Sequence, residues 1–487
     1  MTFHPTSSVL ARAAAPELDR LLQVLFRRYP DQEWATFARF GWRETPRGLV
    51  VTLHSLDEPE PLDLDEVASH VVIRAPYTRR TALSAEAHRL AVGVIHSHPA
   101  GYRTHPSKLD DDMDGYFAQY FADFAPGRPY VSLIFAEASG RLSATGRTFW
   151  NGEWHPVERF VCPGRVVTIG NYEMPRRLSD SALARVARLQ SAFGTEAAER
   201  LAAATAAVIG AGGTGSAAIE VLARAGVGHL IIADPDVFTD SNLERMHGSE
   251  ADDVSEQPPK VLLARRLIRS INPDCRITAM RGRVPQTEVV DALVQADVLI
   301  GCTDQQHSRV ALSDLATRYL LPTIDCGVGL EGEEGQVSGQ VIQLVRMLPA
   351  DPCVYCRRMV IQKRLDQELM TEDEKDQRRI AAGEARARGG DADAYWQDLP
   401  QLNTVGYLTT AAGSMAAGYA IGWLTGRFEP PFCRLQMNLS ARYLDTAEPE
   451  DRPRTECACR RMRGLADQGR ADAFLSAPSH WPTPEYL

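Results

Sequence analysis

Short apolar runs alternate with amphipathic stretches through the middle of the chain. Residues 206–209, 229–233 and 297–301 are apolar runs of strand length, and residues 261–271 carry apolar side chains at helical spacing. Strand-like and helix-like segments keep alternating from residue 206 to residue 321. This pattern predicts an α/β fold built on a doubly wound, mostly parallel sheet.

A separate unit is predicted upstream of this sheet. Residues 17–28 have a helix-like pattern, residues 90–95 form an apolar run, and residues 149–154 indicate a hairpin that ends the unit. Residues 161–177 contain Pro and Gly and therefore predict a connector. The expected limits are 1–165 for the first unit, 166–178 for the linker and 179–460 for the second unit.

Two further segments differ from both units in composition. Residues 365–401 are rich in charge and predict a helical insertion in the second unit. The last stretch, 461–487, is polar with several prolines, and we expect a mobile tail there.

The clearest chemical signal follows the apolar run at 206–209. Residues 210–215 read Gly-Ala-Gly-Gly-Thr-Gly, and a helix-like stretch begins at Ser216. Glycines let the backbone approach a phosphate closely, and the helix offers it unpaired N–H groups and the positive end of its dipole. Asp234 closes the next strand, where a dinucleotide-binding fold has its ribose-binding acid. A nicotinamide dehydrogenase would share this pattern.

Charged residues further along favour ATP over a redox cofactor. The sequence Asn-Leu-Glu-Arg at 242–245 follows Asp234 within one loop, and Lys260 begins the amphipathic stretch. Two cations beside one phosphate loop suit a site at which a carboxylate attacks ATP and pyrophosphate leaves. Asp304 follows a strand end, where an acid can hold Mg²⁺. No G-x-x-x-x-G-K-[ST] motif occurs, which argues against a P-loop ATPase.

With these residues, the chain from 185 to 444 resembles the adenylating superfamily of ubiquitin-activating enzymes and their ThiF/MoeB-like relatives from thiamine and molybdopterin pathways. The resemblance implies a Rossmann-like sheet, ATP and Mg²⁺, and adenylation of the C-terminal glycine of a ubiquitin-fold protein. It also implies a homodimer in which Arg188 reaches the site of the second copy. It assigns Gly210, Gly212, Gly213 and Gly215 to the phosphates, Asp234 to the ribose, Asn242, Arg245 and Lys260 to the triphosphate, and Asp304 to magnesium. Met246 and Gln305 depart from the family's usual Gln and Asn.

A second signal lies in the first unit. His96-Ser-His98-Pro follows the apolar run at 90–95, and Ser107-Lys-Leu-Asp110 follows a short loop. Alternate positions of an extended segment point the same way, so His96 and His98 can meet one metal ion. Asp110 can supply a third ligand and leave a fourth position for water, which is typical of catalytic zinc.

This second pattern resembles the JAMM metalloproteases, the MPN-fold isopeptidases that cut after the terminal glycine of ubiquitin-like proteins. The resemblance implies Zn²⁺ on His96, His98 and Asp110, an acid–base Glu on an early strand, and Ser107 at the oxyanion.

Two assignments in this metal site stay open. Glu33 is the best match for the acid–base Glu, and Glu44 is the alternative. The loop between His98 and Ser107 is longer than the family's, so Asp111 or Asp112 competes with Asp110 as the metal ligand.

Two cysteine pairs give a third signal. Cys353 and Cys356 have ordinary zinc spacing, whereas Cys457 and Cys459 are one residue closer together than usual. In the resembling adenylating family, two such pairs hold a structural zinc ion.

A thioester-forming cysteine is not evident. Only Cys433 lies between the two pairs, in a strand-like segment, and the segment 402–406 has no cysteine where sulfur-pathway relatives place theirs. The enzyme therefore stops at the adenylate, passes the acyl group directly to a partner, or forms an oxyester. The hydroxyls considered for the oxyester are Thr404, Thr409 and Ser414, and no adjacent base is evident from the sequence.

Composition narrows the partners and the compartment. The formal net charge of -10 argues against nucleic acid as a primary partner. No run of eighteen apolar residues and no signal sequence is present, so we expect a cytoplasmic protein without a membrane partner. Nine cysteines, an odd number that includes a C-x-x-C, fit a reducing compartment and zinc.

Two catalytic units on one chain predict a shared substrate class, the C-terminal glycine of a ubiquitin-like protein. We expect the metal site to release or expose that terminus and the nucleotide site to activate it, in a bacterial conjugation pathway such as an antiviral one, with a conjugating-enzyme-like acceptor. One alternative is sulfur-carrier activation and processing for cofactor or siderophore synthesis. Another is a scaffold that binds a ubiquitin-like protein and whose first domain is inactive.

Overall fold

The computed structural model of the chain describes residues 8–27, 32–67, 70–99, 104–138, 141–163, 167–169, 178–333, 335–398, 404–441 and 452–487. Within these ranges, every helix is too short or too polar to cross a lipid bilayer.

The first unit is a curved sheet with helices packed on its two faces. Its elements are β1 (Ser8–Arg12), α1 (Ala15–Leu22), β2 (Ala35–Thr45), β3 (Gly48–Asp57), β4 (Leu64–Val67), β5 (His70–Ile73), α2 (Ala75–His88), β6 (Ala91–Ser97), α3 (Lys108–Phe124), β7 (Tyr130–Ala138), β8 (Arg141–Trp150), β9 (Glu153–Val161) and β10 (Val167–Ile169). The strand order is β10-β8-β7-β6-β2-β3-β1-β9, and β9 also pairs with β8, so the sheet closes on itself.

Alternation along β6 directs the predicted metal ligands. Ala91 and Ile95 belong to the apolar cluster that contains α1, whereas Val92 and Val94 pack with α2 and α3 on the opposite face. Because successive side chains of a strand point to opposite faces, His96 falls on the side of α3. Asp110 lies in the first turn of α3, so the strand and the helix bring these two residues together.

The second unit is built on a mainly parallel sheet. Its elements are α4 (Asp180–Arg185), α5 (Ala187–Phe193), α6 (Thr195–Ala203), β11 (Thr205–Ile209), α7 (Gly213–Arg224), β12 (His229–Ala233), α8 (Asp253–Glu256), α9 (Lys260–Ile271), β13 (Arg276–Arg281), α10 (Thr287–Leu293), β14 (Val298–Gly301), α11 (Gln306–Arg318), β15 (Thr323–Glu333), β16 (Gln336–Met347), α12 (Gln362–Leu369), α13 (Glu372–Ala387), α14 (Gly406–Thr425), β17 (Arg434–Asn438), α15 (Ala458–Met462) and β18 (Glu485–Tyr486).

The order of this sheet, β17-β16-β15-β14-β11-β12-β13-β18, creates a switch point at β11. The chain proceeds to β12 and β13 on one side of β11 and to β14 and β15 on the other, all in parallel. Ala206 and Val208 pack with α7, α9 and α14, whereas Ala207 and Ile209 pack with α10 and α11, so both faces are buried. The α/β fold with a Rossmann-type second unit is thereby confirmed, and ligands of such sheets bind at the switch point.

The two units share a buried interface. Leu10 and Val50 of the first unit lie in one apolar cluster with residues of α10 and α11. Arg12 is fully buried and donates hydrogen bonds to the carbonyls of Val294 (2.8 Å) and Tyr319 (3.1 Å). A buried guanidinium that donates to backbone carbonyls fixes the position of both partners.

The expected linker at 166–178 begins inside the first sheet, because β10 pairs with β8. Val167, Thr168 and Ile169 are β-branched residues, which favour a strand. The Pro and Gly residues around them led us to predict a connector instead. Residues 170–177 lie outside the described part of the chain.

The segment 461–487, for which we expected a mobile tail, instead packs on both units. Met462 and Ala466 are buried, β18 pairs with β13, and the N–H of Leu487 donates to the carbonyl of Ala279 at 2.9 Å. Its apolar residues follow neither a helical nor a strand period, so the sequence pattern did not show that they are buried.

The charged insertion contains α12 and α13. The carboxylate of Glu368, in α12, accepts hydrogen bonds from the backbone N–H groups of Gln306 (3.0 Å) and His307 (2.9 Å) at the start of α11. An acidic side chain stabilises the N-terminal end of a helix, so Glu368 ties the insertion to the strand–helix connection that carries Asp304.

Candidate functional site

The glycine loop connects β11 to α7 and owes its shape to the absence of side chains. A Cβ on Gly215 would lie 1.7 Å from the carbonyl oxygen of Gly210, and one on Gly210, whose φ is +89°, would lie 2.6 Å from that of Cys302. At Gly212, in contrast, a Cβ would meet nothing within 4 Å. The loop is therefore packed tightly on its protein side and open on the side where a phosphate would approach.

A cavity of about 470 Å³ opens over this loop. Of the residues assigned to the nucleotide from the sequence, the cavity is lined by Gly210, Gly212, Gly213, Asp234, Asn242, Arg245, Lys260 and Asp304. Gly215 does not line the cavity. Its lack of a side chain instead allows α7 to pack closely against the end of β11. Residues from five separate segments thus meet at the carboxyl ends of β11, β12 and β14.

Asp234 holds the glycine loop from the end of β12. Its Oδ2 accepts a hydrogen bond from the N–H of Ala211 at 2.6 Å, and its Oδ1 accepts one from the N–H of Asp236 at 2.8 Å. Burial raises the pKa of this carboxyl, and the nearby Lys260 opposes that rise. Asp234 therefore orders the glycine loop from the end of β12, which is where the sequence predicts a ribose-binding acid.

Two cations flank the loop. Nζ of Lys260, at the start of α9, lies 2.9 Å from Oδ2 of Asp236. Nη1 of Arg245 donates to the carbonyl of Thr404 at 3.4 Å, and the aliphatic part of the Arg245 side chain packs near Gly213. Together with the N-terminal end of α7, these groups place two positive side chains and the positive end of a helix dipole beside the glycine loop.

The opposite wall of the cavity carries Asp304, which the sequence predicted, and a cation and two thiols, to which sequence reasoning assigned no role. Asp304 follows β14 and is exposed to the cavity. Nε of Arg309 donates to Oδ2 of Asp325 at 2.7 Å, and the charge of Asp325 raises the pKa of Arg309. Both Cys302 and Cys326 also line the cavity, with their Sγ atoms 3.5 Å apart. Arg309, Asp325 and Cys326 belong to no local motif, so only the packing of α11 against β15 reveals them.

The two cysteine pairs meet in a single cluster. Sγ of Cys353 lies 3.6 Å from Sγ of Cys457, and Sγ of Cys356 lies 3.9 Å from Sγ of Cys459. Tetrahedral zinc with its usual Zn–S bonds sets thiolates about 3.8 Å apart. The neighbouring Cys459 thiol lowers the pKa of Cys353 to about 5, and the N–H of Arg454 donates to Sγ of Cys356 at 3.3 Å. The donor set and its spacing fit a structural zinc ion.

The histidine cluster of the first unit is likewise compact. Nε2 of His96 lies 3.2 Å from Oδ1 of Asp110, and Nε2 of His98 lies 3.7 Å from Oδ2 of the same carboxylate. The three residues are buried, with ligand atoms all within 4.8 Å of one another. Burial alone would raise the pKa of Asp110, but its contacts with the imidazoles hold that pKa well below the ordinary range. This donor set fits a zinc ion.

The residues around this cluster separate the alternatives left open above. Ser107 and Asp110 form a reciprocal capping box: the Ser107 N–H donates to Oδ2 of Asp110 (2.7 Å), and the Asp110 N–H donates to Oγ of Ser107 (3.2 Å). Asp111 is instead exposed, and its Oδ1 lies 2.5 Å from Nη1 of Arg147. Asp112 is also exposed. Of the three acids, only Asp110 faces the histidines.

Glu33 and Glu44 lie at opposite ends of β2. Ala35 pairs with His96, so Glu33 precedes β2 at the end where the histidines lie. Burial raises the pKa of Glu33, and the charges of His96 and His98 oppose that rise. Glu44 pairs with Leu49 near the other end of β2, roughly 30 Å along the strand. Of the two glutamates, Glu33 is therefore the one that lies near the histidines.

Residues 183–460 match the ThiF family, and this range covers more than half of the chain. The chain belongs to the ThiF family. The nucleotide cavity and the cysteine cluster lie inside the range that matches the ThiF family, whereas the histidine cluster lies before it.

Several characterised proteins are similar to the ThiF-family part. The chain is 33% identical over 163 residues to the SAMP-activating enzyme E1 of Haloferax volcanii, covering 34% of this chain and 56% of that protein. It is 31% identical over 165 residues to the sulfur carrier protein ThiS adenylyltransferase of Bacillus subtilis, covering 34% and 46%. The chain thus spans about half the length of the curated relatives it matches. A crystal structure of Escherichia coli MccB with MccA-N7isoASN shares 17% identity at a TM-score of 0.42, covering 56% of this chain and 74% of that one.

The remaining predicted residues of the ThiF region lie in different surroundings. Thr404 and Thr409 line the cavity, and Ser414 lies further along α14. Cys433 is buried, and its Sγ accepts a hydrogen bond from Nη2 of Arg346 at 3.3 Å. Arg188 is exposed on α5 and does not line the cavity within the described residues. Residues 399–403, which include the first part of the segment 402–406, lie outside the described part of the chain.

Proposed function

We propose that the chain adenylates the C-terminal carboxylate of a ubiquitin-like or sulfur-carrier protein that ends in glycine. The observation that carries this proposal is the cavity in which the glycine loop, Arg245, Lys260 and Asp304 converge. A hydride transfer has little use for paired cations at the phosphates, whereas they neutralise the charge that develops when pyrophosphate leaves. The names of the Haloferax and Bacillus relatives point to the same class of cargo.

The chain's own residues would orient the reaction. The N–H groups at the start of α7 would bind phosphate oxygens, and Asp234 would hold the ribose. Arg245 and Lys260 would neutralise charge on the triphosphate while the cargo carboxylate bonds to the α-phosphorus and pyrophosphate leaves. Asp304 would hold Mg²⁺, which supplies charge neutralisation at the phosphates when bound.

Exchange of labelled pyrophosphate into ATP tests this proposal. We expect exchange only when a ubiquitin-fold protein ending in glycine is added, and we expect Asp304→Ala to reduce the rate by about 10²-fold or more. Undiminished exchange in Asp304→Ala would remove the magnesium assignment. Tight binding of a nicotinamide dinucleotide with no use of ATP would remove the whole proposal.

We also propose that the first unit is a zinc-dependent peptidase of the MPN/JAMM type, acting after the glycine of the same cargo. His96, His98 and Asp110 would hold zinc, which supplies Lewis-acid chemistry, and Glu33 would carry the proton to the leaving amine. Burial of the three ligands around one point supports the proposal.

Zinc content and cleavage of a cargo extended beyond its glycine test the peptidase proposal. We expect His96→Ala to lose one zinc ion per chain and all cleavage. His88→Ala changes an exposed histidine on α2 and should retain both. Cleavage that survives in His96→Ala would contradict the proposal, and a zinc-free wild-type first unit would favour the binding scaffold.

Sulfur transfer is the second candidate for the pathway, and the Bacillus relative's name favours it. Conjugation and sulfur transfer share the adenylation step and differ in what attacks the adenylate. A thiocarboxylate on the cargo, detected by mass after incubation with a sulfur donor, would support sulfur transfer. A covalent adduct with an acceptor protein would support conjugation.

A further inference from the structure

The hydroxyl of Thr410, in α14, has a different kind of hydrogen-bond partner from the hydroxyls of Thr409 and Thr425 in the same helix. The hydroxyl of Thr409 donates to the carbonyl of Gly406 at 3.0 Å, and that of Thr425 donates to the carbonyl of Ile421 at 2.7 Å. Such bonds to the preceding turn are the ordinary state of threonine in a helix. The hydroxyl of Thr410 instead lies 2.9 Å from Nε2 of His247.

His247 is in turn oriented by a carboxylate. Its Nδ1 lies 2.6 Å from Oε2 of Glu220, in α7, and Oε1 of Glu220 also accepts from Nε of Arg224 at 2.8 Å. Burial alone would raise the pKa of Glu220, but hydrogen bonds from His247 and Arg224 lower it. Because an ionised carboxylate can only accept, the imidazole proton belongs on Nδ1, and Nε2 is left to accept the Thr410 proton.

This trio does not itself line the nucleotide cavity, but it lies on segments that do. Thr410 directly follows Thr409, and His247 lies two residues after Arg245; Thr409 and Arg245 both line the cavity. The N–H of His247 donates to Oγ of Ser216, in the first turn of α7, at 2.9 Å. The side chains of His247 and Glu220 keep 28% and 21% of their surface exposed, so both are open to solvent.

A hydroxyl, a base and an orienting carboxylate within hydrogen-bond reach are the elements that activate an oxygen nucleophile. The sequence offered three hydroxyls in this region and no base beside them. The base comes instead from the loop after β12, which lies more than 160 residues away along the chain.

We infer that Thr410 accepts the activated acyl group as an oxyester, with His247 as its base and Glu220 as a positioning residue. The inference rests on the proposed adenylation. Oγ of Thr410 bonds to the carbonyl carbon of the acyl adenylate, and the bond from that carbon to the phosphate oxygen breaks. The hydroxyl proton passes to Nε2 of His247, and AMP leaves. The carrier is then joined to the chain until an acceptor nucleophile displaces it.

Intact mass after incubation with ATP, Mg²⁺ and a carrier tests the inference on the full chain. The probes are ubiquitin-fold proteins that end in glycine, including those encoded beside this chain and a bacterial ThiS. We expect a chain–carrier adduct that survives dithiothreitol and is cleaved by alkaline hydroxylamine. Thr410→Ser should form it, and Thr410→Val should not. Ser255→Ala, which changes an exposed serine of α8 outside the cavity, is the control and should form it at the wild-type rate.

Three further variants separate chemistry from folding. His247→Gln should slow adduct formation by about 10²-fold or more, as removal of a general base does. Glu220→Asp should restore most of the rate that Glu220→Gln loses, since an aspartate can still orient the imidazole. Melting temperatures close to that of wild type show that the variants are folded.

The outcomes distinguish the inference from the function on which it rests. Pyrophosphate exchange without any adduct, an adduct that persists in Thr410→Val, or an adduct removed by dithiothreitol would each overturn the role of Thr410. The last result would direct attention to a cysteine such as Cys302, which lines the cavity. Absence of exchange with every carrier would overturn the proposed adenylation itself.

Discussion

Lys260 is held beside the glycine loop by a neighbouring carboxylate, that of Asp236. Its Nζ lies 2.9 Å from Oδ2 of Asp236, and its side chain is only 12% exposed although it carries a charge. Asp236 is itself held by Asp234, which also binds the loop. The cation and the loop therefore share one anchor, which reduces the reorganisation that binding of a triphosphate requires.

Replacing this lysine should affect catalysis more than folding. We expect Lys260→Ala to lower kcat/KM for pyrophosphate exchange by about 10²-fold, because a charge that stabilises the leaving pyrophosphate is lost. Lys363→Ala is the matched control, since Lys363 of α12 also makes polar contacts but does not line the cavity. Equal exchange rates in the two variants would contradict the assigned role of Lys260.

The glycine at 215 should be irreplaceable for a steric reason. A Cβ there would lie 1.7 Å from the carbonyl oxygen of Gly210, so α7 would have to move off the end of β11. We expect Gly215→Ala to reduce the free energy of unfolding by about 1–3 kcal/mol, measured by chemical denaturation. Gly383→Ala, at an open site of α13, should instead add about 0.5–1 kcal/mol. A Gly215→Ala variant with the wild-type free energy of unfolding would show that the loop is not tightly packed.

At the scale of elements, the cysteine cluster joins two distant segments. Cys353 and Cys356 follow β16, and Cys457 and Cys459 lie at the start of α15. A metal ion there would fasten the C-terminal segment to the sheet and so preserve the burial of Met462 and Ala466.

Removing a ligand of this cluster should release zinc and loosen the segment. We expect Cys457→Ser to lose one zinc ion per chain and to melt several degrees below wild type, as should wild type treated with a strong chelator. Cys302→Ser, which changes a thiol outside the cluster, should retain the zinc. A melting temperature unaffected by the chelator would contradict a structural metal.

Elements with a regular apolar period could be predicted from the sequence, and others could not. The buried runs that became β11, β12 and β14 fixed the end of the sheet at which Gly210, Asp234 and Asp304 meet. The alternation before His96 likewise indicated that His96 and His98 share one side. Closure of the first sheet by β8 and β9, the Arg309–Asp325 pair and the His247–Thr410 contact depend on partners distant along the chain. No local pattern encodes such contacts.

At the scale of the whole molecule, charged residues link the two units. Nη2 of Arg43, on β2, lies 2.7 Å from Oδ1 of Asp291 in α10, and its Nη1 lies 2.9 Å from Oδ1 of Asp467 in the C-terminal segment. Its side chain is 8% exposed, so these pairs are shielded from solvent and salt. The unit with the histidine cluster and the unit with the nucleotide cavity therefore form one packed body rather than two tethered domains.

Breaking this link should destabilise the junction. We expect Arg43→Met to lower the free energy of unfolding by about 3 kcal/mol, because Asp291 would be left without its partner in a nearly buried site. Arg20→Met removes an exposed pair with Glu58 inside the first unit and should change it by less than about 1 kcal/mol. Similar losses in both variants, compared by chemical denaturation, would show that the junction does not depend on this pair.

The fate of the ATP phosphates tests adenylation most directly. The chain is incubated with a glycine-ended carrier and ATP labelled in either the α- or the γ-phosphate, and the carrier is then analysed in acid. If the carboxylate attacks the α-phosphorus, the α-label appears on the carrier and the γ-label leaves in pyrophosphate. A carrier that acquires the γ-label, or that acquires neither while ATP is consumed, would contradict the account.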